Sequence, residues 1–184
     1  MHEKIYNHGM ERLRDPARLA LLELDRVIDL SMADLPAAPL SVLDIGCGTG
    51  VFAEAFLKRN CTTAGIDINQ EMIAEAQRLV PRGNFKSGSA EKIPFEDHSF
   101  DIVFYGMVLH ESDDLPSVLA EARRVTRLRV VAHEWPYVTA EKGPPLAHRL
   151  NPVDLAPAAD KAGLGIMKTV QLQTLVVYRW DISH

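Results

Sequence analysis

The chain has 184 residues, of which 47% are hydrophobic and 24% charged, a balance that fits one folded domain and excludes a disordered chain. The formal net charge of -5 argues against a nucleic-acid partner, since such proteins usually carry a basic face. No apolar run approaches the ~20 residues of a membrane span, and Cys47 and Cys61 form no CxxC pair, so we expect a cytoplasmic protein without a disulfide scaffold. The sequence gives no indication of an oligomeric state.

Predicted helices and strands alternate along the chain. The first element is a helix that Asp15 caps and Pro16 begins, with apolar residues at helical spacing behind them. The sequence then predicts strands over residues 41–45, 62–67, 84–87, 100–105 and 129–133, with helices after the first, second and fourth. A last helix begins at Asn151-Pro152 and ends near Gly163, and residues 166–178 are expected to form a hairpin.

This alternation predicts a doubly wound, Rossmann-like α/β fold. Its mostly parallel, seven-stranded sheet should end in a C-terminal antiparallel hairpin strand. We expect a single domain over residues 1–184, with an N-terminal helical cover over 1–40, a ligand-binding core over 41–135, a loop on the substrate side over 136–150, and the last helix and hairpin over 151–184. Such sheets bind ligands at the carboxyl ends of the strands, where the strand order reverses.

A glycine turn follows the first predicted strand. It reads Gly46-Cys47-Gly48-Thr49-Gly50, and glycines here let the backbone turn tightly and approach a ligand closely. Asp67 ends the next strand, at about the ~20-residue offset where an acid meets the ribose hydroxyls of a nucleotide. The turn and the acid together predict a nucleotide-type site.

The turn also discriminates between nucleotides. Val51 stands where a dinucleotide fingerprint needs Gly or Ala, and a bulky residue there obstructs helix packing against a pyrophosphate. S-adenosylmethionine has no phosphate, and its amino group needs acceptors such as the Asp44 carboxylate at the end of the first strand. The pattern therefore favours S-adenosylmethionine over NAD.

At these residues the chain resembles the class I S-adenosylmethionine-dependent methyltransferases, and it is similar to their small-molecule branch that includes the quinone-biosynthesis enzymes. The likeness extends from about Val42 to Trp135. It is carried by the first motif at Val42–Gly50, the acid in Gly65-Ile66-Asp67-Ile68, the adenine loop Gly88–Phe95, the strand Phe100–Val103, and the segments Val108–Glu111, Glu121 and Arg124-Val125.

The chain departs from the family pattern at two places. Ser89 replaces the acid of the adenine loop, so a hydroxyl without charge meets the adenine amino group. Arg127-Leu128-Arg129 replaces the Pro-Gly-Gly that usually precedes the fifth strand. Because that turn lies at the end of the sheet far from the site, we expect no chemical effect from it.

The resemblance implies methyl transfer from S-adenosylmethionine to a small-molecule acceptor. The cofactor-binding residues that it implies are Asp44, Gly46, Cys47, Gly48, Gly50, Asp67, Ile68, Met72, Ser89, Ala90, Glu91 and Tyr105. Two of them, Cys47 and Met72, are equally explained as packing residues. The alternatives for the whole chain are a protein that binds the cofactor without catalysis and an NAD-dependent oxidoreductase.

Two histidines are the candidate catalytic residues. His110 follows the fourth strand and His133 ends the fifth, so both should face the crevice beside the cofactor methyl group. The ordinary pKa of histidine suits proton transfer near neutral pH. His110 is the first candidate for a base or an acceptor-orienting group, unless it only fixes the next loop. Neither histidine begins an HExxH sequence, so we expect no metal.

Little of the chain is available to enclose an acceptor. Only the first 40 residues and the loop over 136–150 lie outside the sheet core on that side, which favours a small molecule over a macromolecule. Trp135 and Tyr137, near the end of the fifth strand, either line the acceptor pocket or cover the core.

Overall fold

The computed structural model describes residues 9–37 and 39–182. Parts of the predicted N-terminal cover and of the last predicted segment lie outside these described residues. The helices are α1 (Pro16–Leu21), α2 (Leu24–Met32), α3 (Val51–Lys58), α4 (Gln70–Leu79), α5 (Leu115–Val125) and α6 (Pro152–Lys161). Short 3₁₀ helices lie at Met10–Arg14, Leu109–Glu111 and Leu146–His148.

Seven strands form one sheet. They are β1 (Ser41–Ile45), β2 (Thr62–Asp67), β3 (Asn84–Ser87), β4 (Phe100–Gly106), β5 (Thr126–Glu134), β6 (Met167–Gln171) and β7 (Val176–Asp181). Their order is β3-β2-β1-β4-β5-β7-β6. The first five strands are parallel, and β7 runs antiparallel to both β5 and β6. The predicted doubly wound α/β fold with an antiparallel hairpin is therefore confirmed.

The order of the strands reverses between β1 and β4, which are neighbours in the sheet. A chain leaving the carboxyl end of β1 turns to one side and a chain leaving β4 turns to the other, so a crevice opens between them. The segments after the five parallel strands all begin at this edge. The candidate residues lie in these segments or near the carboxyl ends of the strands.

Helices cover both faces of the sheet. Apolar residues of α5 and α6 pack on one face in a cluster that includes Leu119 and Leu155, and residues of α2 and α3 pack on the other face in a cluster that includes Ile28 and Phe56. These four side chains are buried, and burial of each contributes about 1.5–3 kcal/mol. No helix of the described residues is long and apolar enough to cross a membrane.

Side-chain caps determine where several helices begin. Asp15 accepts the N–H of Ala17 at 2.8 Å, Asn69 accepts that of Glu71 at 2.9 Å, and Asn151 accepts that of Val153 at 3.1 Å. Each cap supplies an acceptor to a backbone donor that has no partner inside its helix. These three caps are the ones that the sequence predicts.

Two boundaries differ from the prediction. The first helix is interrupted at Glu23, which has a left-handed φ of 46° and whose carboxylate accepts the N–H of Gln173 at 2.8 Å. This contact with the turn before β7 anchors the interruption. The fifth strand begins at Thr126, directly after α5, so the turn that the family builds with Pro-Gly-Gly is absent from this part of the chain.

Arg129 joins the N-terminal cover to the sheet. Its side chain is 2% exposed and its Nε lies 2.6 Å from Oδ1 of Asp181. Its Nη1 donates to the carbonyl oxygens of Ser31 at 2.9 Å and Ala33 at 2.6 Å. The end of α2 is therefore bound to β5 and β7 through one buried guanidinium.

We predict that Arg129→Met lowers the free energy of unfolding by about 3 kcal/mol, because two backbone carbonyls and a carboxylate lose a buried partner. Arg127→Met is the matched control: Arg127 also pairs with an aspartate but its side chain is 42% exposed, so its loss should cost about 1 kcal/mol or less. Urea unfolding followed by circular dichroism measures both values. Equal losses in the two variants would contradict this role of Arg129.

Candidate active site

The glycine turn after β1 has the backbone that its sequence predicts. Gly46, Gly48 and Gly50 have φ values of 63°, 51° and 77°, in the left-handed region that favours glycine. A Cβ on Gly46 would lie 2.5 Å from Cγ2 of Val108, and one on Gly48 would lie 3.0 Å from Cδ1 of Leu13. The turn therefore has little room for side chains at these positions.

Asp44 lies buried beneath this turn. Its side chain is 1% exposed, its Oδ2 accepts the N–H of Ala53 at 3.2 Å, and its Oδ1 has no hydrogen-bond partner among the described residues. Burial raises the pKa of Asp44 to about 8, against the opposing effect of the Ala53 N–H and with a further contribution from Asp67. A buried carboxyl oxygen without a partner fits a ligand that carries an ammonium group.

Asp67 connects the turn after β1 to the turn after β2. Its Oδ2 accepts the N–H of Gly48 at 2.9 Å and its Oδ1 accepts that of Asn69 at 2.9 Å. Burial raises the pKa of Asp67, and the backbone donors around it oppose that rise. A carboxylate offers about four acceptor positions, so Asp67 retains capacity for the two hydroxyls of a ribose.

A cavity of about 260 Å³ is lined by Ile45 and Ile68, the residues that follow these two acids, although the acids themselves are not part of its lining. Five of the predicted cofactor-binding residues line it, namely Ile68, Ser89, Ala90, Glu91 and Tyr105. The other residues that line it are Ile45, Val108, Leu109, Glu111, Ser112, Asp113 and Val118. Ile68 is 59% exposed and so offers an apolar surface of the kind on which an adenine ring packs.

The predicted adenine loop is held from behind by α5. Glu121 accepts the N–H of Ile93 at 2.8 Å, and Arg124 donates to the carbonyl oxygens of Ile93 at 3.0 Å and Phe95 at 2.9 Å. Within the loop, Oγ of Ser89 accepts the N–H of Glu91 at 3.2 Å. The match of Glu121 and Arg124 to the family pattern is thus explained by their support of this loop.

Besides Asp44, three of the predicted residues have deeply buried side chains. Cys47 and Met72 are 6% and 7% exposed. Burial, with the charges of Asp44 and Asp67, raises the pKa of the Cys47 thiol far above its ordinary value, so this thiol is suited to packing and not to nucleophilic chemistry. Tyr105 is 1% exposed and its hydroxyl donates to the carbonyl of Val118 at 3.2 Å, which fixes the ring at the wall of the cavity.

His110 lies at the edge of the cavity and pairs with Glu134. Its Nδ1 is 2.7 Å from Oε2 of Glu134, and its neighbours Leu109 and Glu111 both line the cavity. Met107, with a left-handed φ of 63°, turns the chain after β4 toward this position. Strain of about 1–3 kcal/mol is typical of such a residue and is common at functional sites.

His133 has a different environment. It is fully buried, its ring packs edge-on against Phe52 at 5.7 Å between centroids, and neither ring nitrogen has a hydrogen-bond partner among the described residues. Burial, with the charge of Arg18 nearby, lowers the pKa of His133 to about 3. His133 is therefore enclosed in the core beside Phe52, in contrast to the expectation that it faces the crevice.

The loop over 136–150 is organised around Arg149. This side chain is 6% exposed and donates to the carbonyl oxygens of Pro136, Val138, Lys142 and Pro144 at 2.7–3.1 Å. Its guanidinium lies 5.5 Å from the centroid of the Trp135 ring. Trp135 packs against the core cluster of α2 and α3, whereas Tyr137 is 39% exposed.

Several residues of the site were missed by the sequence reasoning. The segment after the fourth strand was expected to face the crevice because of His110 and Glu111, but Val108, Leu109, Ser112 and Asp113 were not assigned to the cavity wall that they form. Arg149 and the contact between Glu134 and His110 have no signal in the sequence, because each depends on residues that the fold brings together. Within the described part of the chain, no group of three or more metal-binding side chains lies close enough to hold a metal ion.

Comparisons with known proteins agree with this geometry. A family model described as a methyltransferase domain matches residues 43–129. A malonyl-[acyl-carrier protein] O-methyltransferase of Enterobacter lignolyticus is 29% identical over 83% of this chain and 64% of its own length. A demethylmenaquinone methyltransferase of Chlorobaculum tepidum is 36% identical over 47% of this chain and 36% of its own length.

A solved structure shows the same fold over nearly the whole chain. It is a SAM-dependent methyltransferase from Aquifex aeolicus, with a TM-score of 0.81 and 21% identity, covering 95% of this chain and 97% of that one. Over residues 43–129 the chain is similar to methyltransferase domains, and its fold is that of the Aquifex aeolicus structure. These findings agree with the predicted resemblance to the class I S-adenosylmethionine-dependent methyltransferases and favour it over the two alternatives. The chain spans less than two thirds of the length of the two curated relatives.

We predict that Gly48→Val weakens S-adenosylhomocysteine binding by at least about 100-fold, which is about 3 kcal/mol. A branched side chain at a left-handed φ would distort the turn and enter the space beside it. Gly165→Val is the matched control, because Gly165 has a φ of 76° with no atom near its Cβ position. Calorimetry should show that only Gly48→Val loses binding; normal binding in that variant would exclude the turn from the cofactor site.

The raised pKa of Asp44 predicts a pH-dependent affinity. Below about pH 8 the carboxyl group is protonated, and binding of an ammonium group requires that proton to leave. Affinity for S-adenosylhomocysteine should therefore rise from about pH 6 to about pH 7.5, by at most about tenfold per unit. In Asp44→Asn the affinity should be weaker and nearly independent of pH. A flat profile in the parent protein would contradict the assignment of Asp44.

Proposed function

We propose that this chain transfers a methyl group from S-adenosylmethionine to a small-molecule acceptor. The observation that supports catalysis, beyond cofactor binding, is the position of His110 between two residues that line the cavity. A protein that only bound the cofactor would need no basic side chain there. The proposal combines this position with the fold and with the similarity of residues 43–129 to methyltransferase domains.

The cofactor would be held by residues from three turns. Asp44 would accept from its amino group, the glycine turn would surround its amino-acid part, and Asp67 would accept from the ribose hydroxyls. Ile68 and Ser89 would contact the adenine ring. When bound, S-adenosylmethionine supplies an electrophilic methyl group on a positively charged sulfur atom.

His110 would act on the acceptor. An oxygen or nitrogen acceptor that carries a proton must lose it as it is methylated, and we infer that His110, whose neighbours Leu109 and Glu111 line the cavity, takes that proton. Correct placement of the acceptor close to the methyl group and exclusion of water supply the rest of the rate acceleration. His133, buried with a lowered pKa, is not part of this proposal.

The acceptor side would be enclosed by two segments. The loop over 136–150, which Arg149 holds together, extends from the end of β5. The segment over 9–15 lies on the glycine turn, where Arg14 donates to the carbonyl of Thr49 at 2.8 Å and pairs with Glu54 at 2.7 Å. We infer from this limited cover that the acceptor is small, either free or presented on a carrier as the name of the Enterobacter lignolyticus relative describes.

We also infer a cytoplasmic location for the protein. Cys47 and Cys61 are both free thiols and both buried. Unpaired thiols of this kind are typical of proteins in a reducing compartment.

Methyl transfer is tested with S-adenosylmethionine labelled in its methyl group and a panel of acceptors that includes a malonyl thioester and a naphthoquinol. We expect labelled product from at least one acceptor. His110→Ala should lower its turnover by about 10²-fold or more and leave S-adenosylhomocysteine affinity unchanged. His98→Asn is the matched control, because His98 is exposed and bonds to Thr126 at the other end of the sheet.

Two results would contradict this proposal. S-adenosylhomocysteine that fails to bind would exclude the cofactor site. Turnover in His110→Ala that equals the parent value, or that falls only in proportion to lost thermal stability, would exclude His110 as a base.

A further inference from the structure

His133 is a buried polar side chain whose hydrogen-bonding capacity is unused. The residue is 0% exposed, and neither ring nitrogen has a hydrogen-bond partner among the described residues. Most buried polar atoms in folded proteins have a partner, and an atom without one lowers stability. The chain therefore keeps at this position a ring that destabilises the fold, as residues retained for function commonly do.

Strand pairing places this ring at the ligand-binding edge of the sheet. His133 is in register with Gly106, the last residue of β4, and its carbonyl accepts the N–H of Met107 at 2.8 Å. Tyr105, which precedes Gly106, lines the cavity. His133 thus lies one strand away from a residue of the cavity wall, at the carboxyl ends of two parallel strands, where sheets of this kind bind ligands.

Phe52 connects His133 to the glycine turn. It lies in the first turn of α3, two residues after Gly50, and its ring packs edge-on against His133 with 5.7 Å between centroids. A Cβ on Gly106 would lie 2.3 Å from Cε2 of Phe52, so the aromatic ring also rests on the end of β4. An acceptor bound beside the glycine turn and β4 would therefore be next to these two rings.

Arg18 brings a positive charge close to the buried ring from α1. Burial, with this charge, lowers the pKa of His133 to about 3, so the ring is neutral near pH 7 and has one N–H donor and one acceptor nitrogen. The same charge that disfavours a second cation at His133 favours an anion beside it. The N–H of His133 and the charge of Arg18 together suit an oxyanion, such as a carboxylate.

The helix α1 is the part of the cover that can admit such a ligand. None of its residues is buried, whereas α2 buries Val27 and Ile28. Glu23 separates the two helices with a left-handed φ of 46°, and its contact with the N–H of Gln173 at 2.8 Å holds the start of α2. Segments with few buried side chains open at a low cost in free energy, so α1 can move away from His133 while α2 stays in place.

We propose that His133 is an acceptor-binding residue and that the acceptor carries an oxyanion, such as a carboxylate, which enters between His133 and Arg18 when α1 opens. This inference rests on the proposed function and adds a binding residue and a substrate class to it. His133 donates its N–H to the oxyanion and takes no proton, so its part is distinct from proton transfer at His110. The ligand supplies the partner that the chain itself does not provide to the ring.

The first test measures stability and needs no ligand. His133→Leu and His133→Met remove the unpartnered nitrogens, so at least one of these variants should melt about 2–4 °C above the parent. Thr63→Val is the matched control: the hydroxyl of Thr63 is also buried without a partner among the described residues, but it lies near the start of β2, at the other end of the sheet. It should raise the melting temperature as well. Melting temperatures at or below the parent value in both His133 variants would overturn the proposal.

The second test detects a ligand at the ring. In protein saturated with S-adenosylhomocysteine and labelled with ¹⁵N in its histidines, benzoate should shift the His133 ring signals, which a His133→Leu spectrum assigns. Benzamide, the uncharged analogue, should leave them unchanged. Calorimetry should show that benzoate binds at least about tenfold more weakly to His133→Leu and Arg18→Met than to the parent, and equally well to Thr63→Val. Ring signals that do not respond to benzoate would overturn the proposal.

The outcomes separate this inference from the proposed function. If S-adenosylhomocysteine does not bind the parent, the proposed function fails; if it binds the parent and His133→Leu alike but benzoate binds neither, only this inference fails. With a malonyl thioester, which carries a carboxylate, as the acceptor, His133→Leu should raise KM by about tenfold and change kcat by less than about twofold, whereas loss of a base would lower kcat. Transfer to a naphthoquinol but not to the thioester would overturn the oxyanion class.

Discussion

The hydrogen bond from Gly48 to Asp67 is the contact on which the cofactor site depends. The glycine turn after β1 and the turn after β2 leave adjacent parallel strands, and nothing in the strand pairing alone fixes their separation. Asp67 fixes it by accepting one N–H from each turn, at 2.9 Å in both cases. The same carboxylate is then placed to meet a ribose, so the group that would recognise the ligand also shapes the turn beside it.

The opposite wall of the crevice depends on a similar arrangement between β4 and β5. Here the strand ends are joined by the Met107 N–H and by the two hydrogen bonds between Glu134 and His110. The acidic groups of both walls lie at strand ends and not on free loops. Little conformational freedom is therefore lost when a ligand binds. Because the methyl group of S-adenosylmethionine is already activated, the protein accelerates methyl transfer mainly by placing the acceptor precisely beside it.

Local signals in the sequence predict much of this fold. The glycine turn, the Asn69 cap and the alternation of apolar runs place β1, β2, β3, α3 and α4 at their observed bounds. The interruption at Glu23 escapes such reasoning because its anchor, Gln173, is distant in sequence. Likewise, a histidine stands at or just after the ends of two strands, and the sequence does not show which of the two is buried. Successive side chains of β5 point to opposite faces of the sheet, so His133 packs against Phe52 while Glu134 contacts His110.

Acidic side chains lie around the cavity, and their charge affects both binding of the cofactor and release of the product. Glu111 and Asp113 line the cavity, and Asp67 precedes its lining residue Ile68, so these acids attract a cofactor that carries an ammonium and a sulfonium charge. After transfer the sulfur is neutral, and this attraction weakens. The same acidic groups that favour binding of the cofactor therefore hold the product less strongly, which favours release of the product over rebinding.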